Sequence, residues 1–550
     1  MYDSLASPRN VCSDAMTLWF SEDEFSQEER DLLSPYFTEV DGPVFALVNL
    51  PEVVKGALFA RYSRTAKSLR RLFLDEFADI AASGRIADVG VAHAEGIYER
   101  IFLEYGDDSV AQLGGVHLAC EQASQVLTKV IEWGRLAGYL EQSTRYIAYD
   151  DRPGGRWRYV VPPEVEAVPE LRERFVATMD ETFETYSRWV EPMQEYFRQR
   201  FPKDPADPDV VYRATIRAKA CDTLRGMLPV ATRSNVGMYG SGQSYEHLIM
   251  KMRAHPSAEV REYSDLVLAE LRKVIPAFLT RVDAKDRGAA WSRYFEDTRE
   301  ATRSTADLVL DGLRSEPRGL VTLTDFDPEA EDKLVAAALY AVTDLPDDQL
   351  LVAVRGMDPE EKASVLKSYI GDRENRRHKP GRAFERTGYR FDVLCDYGAF
   401  RDLQRHRMLT LEWQRLTTEH GYAVADEIAD AGAGDDWNRV MESSAALAKE
   451  LRGAGLEEAS QYAVSMAYRV RFVMQMTVRE AFHLVELRSS PQGHPAYRAV
   501  AHEMHRQIRE VAGHRAVAEA MSYVDFSDVD LERLQAERRT DAKRRAQAGD

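Results

Sequence analysis

The chain has 550 residues, with 72 lysines and arginines against 91 aspartates and glutamates and a formal net charge of −19. That length implies two or more domains with sizeable cores, and 44% hydrophobic with 30% charged residues is a soluble globular composition. The acidic balance, with a pI near 5.3, argues against a nucleic-acid partner but leaves room for a local basic pocket holding a small phosphorylated ligand. No window is apolar enough for a transmembrane helix and the N-terminus lacks a signal-peptide core, so a cytoplasmic protein with no membrane partner is expected. Cys12, Cys120, Cys221 and Cys395 form no Cys-x-x-Cys pair and read as small buried residues of a reducing compartment.

Residues 1–40 show no clear periodicity and read as an arm on the body. A strand is expected over 45–48 and a helix over 68–77, followed by a loop at 105–109. Residues 116–120 are a short apolar run. Ser124 is placed to cap a helix carrying Val126, Val130 and Trp133 on one face. That helix runs into Trp133-Gly134-Arg135, and Gln142-Ser143-Thr144-Arg145-Tyr146 follows. A turn is expected at 152–156 and a helix over 165–200. Gly237, Gly240 and Gly242 lack the Lys-Ser/Thr of a P-loop and read as a turn or a close packing point. The stripe Val260, Tyr263, Val267, Leu271, Val274 predicts a helix that stops at Pro276.

A linker at 314–319 separates the halves. Beyond it a strand is expected at 320–323, and the period-two pattern of 389–393 predicts another. Asp396 is placed to cap a helix with Tyr397, Phe400 and Leu403 on one face, which ends in Arg405-His406-Arg407. Basic residues at a helix end are commonly there to complement its dipole. The competing reading is an anion site, since guanidinium groups grip phosphate in a bidentate way. The final helical stripe is Tyr497, Val500, Met504, Ile508 and Val511. His494, His502 and His505 are the best metal candidates, but nothing completes a recognised ligand spacing and no metal is expected.

The chain contains this arrangement twice. Superposing Arg135 on Arg407 puts Ser124 on Asp396 and Gln142 on Gln414, in the order capping residue, apolar helix, Arg, Gln. A diverged tandem duplication follows. Its expected layout is an arm over 1–40, copies over 41–314 and 315–530, and a charged tail over 531–550.

Arg405-His406-Arg407 after a strand and helix resembles the signature of flavin-dependent thymidylate synthases, which is Arg-His-Arg, seven residues, then Ser-x-Arg-Tyr. The first half supplies Ser143-Thr144-Arg145-Tyr146 at that distance from Arg135, and Arg225-Gly226-Met227-Leu228-Pro229 resembles the family's Arg-x-x-Leu-Pro. Ser257 to Glu262 resembles its late helix start. Phe384-Glu385, Arg479, His483 and Leu487-Arg488 match it in the second half. The likeness spans about 45–285 and 320–515. It implies an α/β (α+β) fold, two helix-rich copies with a central sheet in each. Neither copy holds the full signature. The first has Trp133-Gly134-Arg135 for Arg-His-Arg and Gly106-Asp107 for the usual Gly-His. The second has Arg415 and Thr417 for Ser and Arg, and Gln461 opposite Arg225.

The losses are complementary. By the resemblance, Gln142, Ser143, Arg145 and Arg225 would hold the nucleotide, with Arg225 and Arg488 as catalytic groups. Glu385, Arg405, His406, Arg407, Arg479, His483 and Arg135 would hold FAD. The family is a homotetramer with sites shared between subunits, so a homodimer of this chain with half the competent sites is expected. The implied reaction is reductive methylation of dUMP to dTMP, with methylene-tetrahydrofolate and NADPH as co-substrates. Two alternatives stay open: a flavin-binding relative acting on another pyrimidine nucleotide, and a non-catalytic nucleotide-binding or scaffold protein.

Overall fold

The structure is a computed structural model that describes residues 24–41, 45–62, 67–83, 112, 114–145, 147–528 and part of 530–545. Cys12, the 105–109 loop and most of the tail lie outside the described residues. The chain forms two compact units. One comprises Met1–Leu118, Tyr239–Lys251 and Ser264–Tyr294; the other comprises Ala119–Met238, Met252–Tyr263 and Phe295–Asp550.

The first unit gathers its core around aromatic residues. Phe73, on the helix Leu69–Ala82 capped by Ser68, meets Phe37 edge-on at 5.4 Å between ring centroids. Ser26 and Glu29 form a capping box on the helix Gln27–Leu33, so the expected featureless arm contains an ordered helix; Ser-x-x-Glu was its signal. The strand expected at 45–48 is absent: Leu47 makes only an isolated bridge to Phe37. The ring of Phe278 seats against Gly56, Gly114 and Gly242, where a Cβ would lie 2.5–2.8 Å from it. Gly242 is thus a close packing point, as expected, whereas Gly237 and Gly240 lie within a strand.

The second unit holds the repeated motif. In the first copy β1 (Gly115–Ser124) leads to the helix Gln125–Ile131 and then β2 (Ala137–Glu141) and β3 (Arg233–Ser241). After β4 (Val321–Phe326), the second copy runs β5 (Gly388–Asp396), the helix Tyr397–Leu403, β6 (Leu409–Trp413) and β7 (Arg469–Thr477). The sheets have orders β1-β3-β2 and β4-β5-β7-β6. The second is antiparallel throughout, with Asp396 opposite Arg469 and Leu409 opposite Met476. Tyr389, Phe391, Val393 and Cys395 alternate into the core, as the period-two pattern predicts.

Both capping expectations hold. Ser124 Oγ accepts from Leu127 N–H, and the Asp396 carboxylate accepts from Ala399 N–H. The second copy's helix and next strand begin 272 residues after their counterparts (397 against 125, 409 against 137). From the turn Arg225–Met227 onward the displacement is 236 (461 against 225, 469 against 233). The first copy carries the longer intervening helix, Pro169–Arg200 against Gly434–Gly453.

The copies meet across a local twofold. Pro229 bridges Ser465. Val230 N–H donates to Val464 O while Met466 N–H donates to Leu228 O, each at 2.9 Å. Ala231 to Tyr462 and Ala467 to Gly226 repeat the exchange one step further out. Backbone donors that would otherwise be buried unpaired are satisfied by the other copy, which fixes the pairing. Tyr497, Val500, Met504 and Ile508 of the helix Pro495–Glu510 are buried as expected, while Val511 falls past its end and is exposed. Among the described residues no helix is long and apolar enough to cross a membrane.

Candidate functional site

The local twofold brings the turn at Arg225 and the Ser143-x-Arg145 segment of the first copy against the helix Tyr397–Leu403 and Arg488 of the second. Four arginines converge there. Arg145 grips Asp222 bidentately, Nε to Oδ1 at 2.7 Å and Nη2 to Oδ2 at 2.7 Å, and its Nη1 donates to the Tyr497 hydroxyl at 3.1 Å. Arg225 lies 3.8 Å from Asp402, Arg488 lies 3.7 Å from the same carboxylate, and Arg405 pairs with it directly. Gly398 makes room for Arg225: a Cβ there would stand 3.0 Å from its Nε.

Charge is unbalanced at this cluster. Four guanidinium groups face Asp222 and Asp402, with Glu141 also 3.9 Å from Arg405, and the positive charge left in excess suits a phosphate monoester. Asp396, beyond Arg225, is held above its usual range by burial, which Arg225 only partly offsets. Burial would raise Asp402 too, but Arg405, Arg488, Arg225 and Arg145 hold it well below the carboxylate range. Arg225 is 3% exposed, and among the described residues its Nη2 has no hydrogen-bond partner. An orphaned buried donor beside an arginine cluster is what an anion site requires.

Behind the cluster is a buried ion network. Glu141 accepts from Arg401 at 2.8 Å and from Lys129 at 3.1 Å. Burial opposes its charge, yet Arg401, Lys129 and Arg405 bring the carboxyl down to about 2. Arg401 also donates to Thr144 Oγ1 at 3.0 Å, which ties the helix of one copy to the nucleotide-side segment of the other.

His406 is buried between Arg488 and Glu480. Arg488 Nε donates to its Nε2 at 2.9 Å, and its Nδ1 faces Glu480 Oε1 at 3.2 Å. Burial pushes His406 down to about 4, and it is neutral at pH 7. His483 Nδ1 lies 3.4 Å from the other oxygen of Glu480. The donor atoms of His406, Glu480 and His483 lie within 4.8 Å of one another, a spacing that could hold a metal. A metal on Nδ1 of His406 would force the proton onto Nε2, against the N–H of Arg488. The residues present therefore fit a hydrogen-bonded chain better than a cation site. The expected metal candidates are engaged otherwise: His494 caps its helix at Ala496, His502 meets Asp525 O and His505 meets Ala518 O.

A cleft of about 530 Å³ opens beside β5, β6 and β7, lined by Glu385, Arg135, Arg407, Arg390, Gln475 and Thr477 among others. It collects three of the residues assigned to flavin. Arg135 reaches Thr410 Oγ1 at 3.0 Å and Arg407 reaches Ala137 O, a reciprocal pair of contacts across the twofold. Among the described residues neither pairs with a carboxylate, which leaves N–H donors for phosphate. Arg479 does not line the cleft but reaches Glu385, which does, with Nη1 3.4 Å from Glu385 Oε1 and Nε on Pro380 O. Arg405 and His406 are in the arginine cluster instead of lining the cleft. Ser143 Oγ accepts from the Arg145 N–H at 3.2 Å and shapes that turn, while the Gln142 N–H pairs with Asn235 O at 2.8 Å.

Asp222, Asp402 and Glu480 were not singled out from the sequence, and Tyr497 was read only as part of a helical stripe. Of the two aspartates only Asp402 had a local signal: near the end of the helix Tyr397–Leu403 it stands three residues before Arg405, with which it pairs.

The counterpart positions across the twofold are spent differently. Gln461 replaces Arg225, and its Oε1 accepts from Leu416 N–H at 3.1 Å. Arg415, in the place of Ser143, pairs with Glu457 and Glu458. Trp133 and Gly134 replace Arg405 and His406, and the Trp133 ring packs edge-on against Trp413 at 5.0 Å.

Comparison with known proteins gives one family. The description thymidylate synthase complementing protein matches residues 58–277 and again 322–513. The chain is 38% identical over 532 residues to a UPF0159 protein of Chlamydia muridarum, across 95% of this chain and 99% of that one. It is 29% identical over 181 residues to a flavin-dependent thymidylate synthase of Mycobacterium marinum, across 33% of this chain and 66% of that one. Among solved structures, a UMP/dUMP methylase PolB from Streptomyces cacaoi bound with 5-Br dUMP is similar at 18% identity and a TM-score of 0.29, covering 37% of this chain and 94% of that one.

Proposed function

Because the chain belongs to the family of thymidylate synthase complementing proteins, carrying two copies of its domain, we propose that it is a flavin-dependent thymidylate synthase-like enzyme converting dUMP to dTMP. The observation that carries this reading is the composite cluster. Arg145 and Arg225 come from one copy and Arg405 and Arg488 from the other, with an unpaired buried guanidinium donor at its centre. In this reading Arg145 and Arg225 hold the nucleotide phosphate, with Gln142 and Ser143 shaping the turn that presents Arg145. Arg488 polarises a uracil carbonyl as charge develops on the ring. FAD would lie in the cleft, its phosphates on Arg135 and Arg407, with Glu385 in its lining and Arg479 and His483 outside it. When bound, the reduced flavin supplies the electrons that the methyl transfer needs. Methylene-tetrahydrofolate as carbon donor and NADPH as reductant complete the proposal.

The cysteines support this route over thiolate addition to carbon 6 of uracil. Among the described residues Cys120, Cys221 and Cys395 are all buried; burial pushes the first two thiols up to about 11 and the third well above its usual range. Such thiols are poor nucleophiles at pH 7. A cytoplasmic homodimer is part of the proposal, with the copies bounded near residue 314 and each chain building one composite site.

The test is an absorbance spectrum of the purified protein with and without added FAD, followed by a dUMP methylation assay, with Arg407→Ala alongside. A flavin spectrum that Arg407→Ala weakens, and dTMP formed from dUMP, support the proposal. A chain that ignores FAD and leaves dUMP unchanged refutes it.

A further inference from the structure

We infer that His406 and Glu480 are positioning residues that aim the guanidinium of Arg488 at the nucleotide base, through a hydrogen-bonded chain that runs inward from His483. The inference rests on the reading of the arginine cluster as a nucleotide site.

An arginine N–H can only donate, so His406 Nε2, 2.9 Å from Arg488 Nε, is the acceptor. The imidazole proton then sits on Nδ1 and is donated to Glu480 Oε1 at 3.2 Å. The second oxygen of Glu480 faces His483 Nδ1 at 3.4 Å. Glu480 thus selects the tautomer of His406, and His406 fixes the inner edge of Arg488. The Arg488 Nη2 donates to the Asp402 backbone oxygen, and its plane stands 5.3 Å from the Tyr497 ring centroid.

This restraint has work to do because Arg488 is pulled two ways. Asp402 lies 3.7 Å from its Nη1, and Arg405 repels it from the same side. Without an acceptor at Nε the guanidinium would swing onto the Asp402 carboxylate and lose the orientation in which its outer edge faces the cluster. A neutral histidine provides that acceptor without adding another charge, which explains why this position in a cluster of four arginines is not a fifth cation. Phosphate contacts of Arg145 and Arg225 do not depend on the chain, so positioning should appear in the rate and not in nucleotide affinity.

The experiment uses the full chain loaded with FAD and the variants His406→Leu, His406→Gln and Glu480→Gln. His406→Leu should lower kcat roughly 10- to 100-fold while KM for dUMP stays within about threefold and the flavin spectrum is unchanged. His406→Gln, which keeps an acceptor near Nε2, should restore most of the rate. Glu480→Gln should lower kcat as well, because an amide in that place permits the wrong tautomer. A loss of flavin on His406→Leu, a rise in KM at unchanged kcat, or no change in rate would overturn the inference.

A readout independent of turnover separates this from failure of the functional reading. In the 15N-histidine-labelled chain, with the His406 signal assigned by its loss in His406→Gln, the inference requires the Nδ1–H tautomer in the wild type and its perturbation in Glu480→Gln. An Nε2–H tautomer overturns the inference even if the enzyme is active. A wild type inert toward dUMP with the Nδ1–H tautomer refutes the reaction, and a Glu480→Gln spectrum identical to wild type then refutes the positioning pair as well.

Discussion

The site at Arg225 and its counterpart at Gln461 are built on the same backbone, yet they differ in what they leave unpaired. At the first, Asp222 holds Arg145, and the Asp402 group of the other copy is shared among Arg225, Arg405 and Arg488. At the second, Glu458 stands in the place of Asp222 and is consumed by Arg415 and Gln461, while Trp133 and Gly134 supply packing where Arg405 and His406 supply charge and a hydrogen-bond acceptor. One site keeps donors with nothing to donate to; the other closes its polar groups on each other. Duplication lets the same fold carry both, because the twofold backbone exchange at Pro229 and Ser465 does not involve the side chains that diverged.

Breaking the pair at one site and its counterpart at the other should have unequal costs. Asp222→Ala leaves the Arg145 guanidinium buried without its carboxylate and should destabilise the protein by about 3–5 kcal/mol in urea unfolding. Glu458→Ala acts on a half-exposed pair and should cost about 1 kcal/mol or less. Equal costs would mean that the two sites are built alike.

Acid should act next most strongly, and through the charged site. His406 is held at about 4 by burial, below its ordinary 6.5, so the unfolded chain takes up the proton more readily and stability rises with pH. Its contribution is fully present above about pH 6.5 and is lost as pH falls through 4, a change of about 3 kcal/mol. Burial would raise Glu480, but its hydrogen bonds to His406 and His483 bring it down to about 2, which adds a further loss between its ordinary 4.5 and 2. Thermal melts from pH 8 to 4 should show the decline, and His406→Gln should flatten its upper part.

Arg225→Gln converts one site to the composition of the other. Gln461 shows that the turn accepts glutamine, so the fold should hold while dUMP affinity in calorimetry falls roughly 10- to 100-fold. The smallest effect belongs to Arg415→Ala. Its pairs with Glu457 and Glu458 are partly solvated, so stability should change by about 1 kcal/mol at most and dUMP binding not at all.

Much of this architecture was legible because it rests on local rules. The helix caps at Ser124 and Asp396, the alternation of 389–395 and the 272-residue offset each follow from a few neighbouring residues. The family resemblance brought Arg145, Arg225 and Arg488 into view. The role of the counter-ions was not visible: Asp402 has Arg405 three residues on, but its contact with Arg225 exists only once the twofold sets the other copy against it. His406 shows the same limit. Flanked by two arginines it reads as a third cation, and only burial against Glu480 and Arg488 makes it neutral. The strand expected at 45–48 failed for the opposite reason: its pairing with the segment around Phe37 stops at a single bridge, too short to make a sheet.

The most direct test of the composite site is a calorimetric titration of the full chain with dUMP, read for stoichiometry. One molecule bound per chain, with an affinity weakened in both Arg225→Gln and Arg488→Ala and most in the former, is the predicted result, because each variant removes one copy's share of a single site. Two molecules per chain, or a single site that survives one of the two substitutions unchanged, would contradict it.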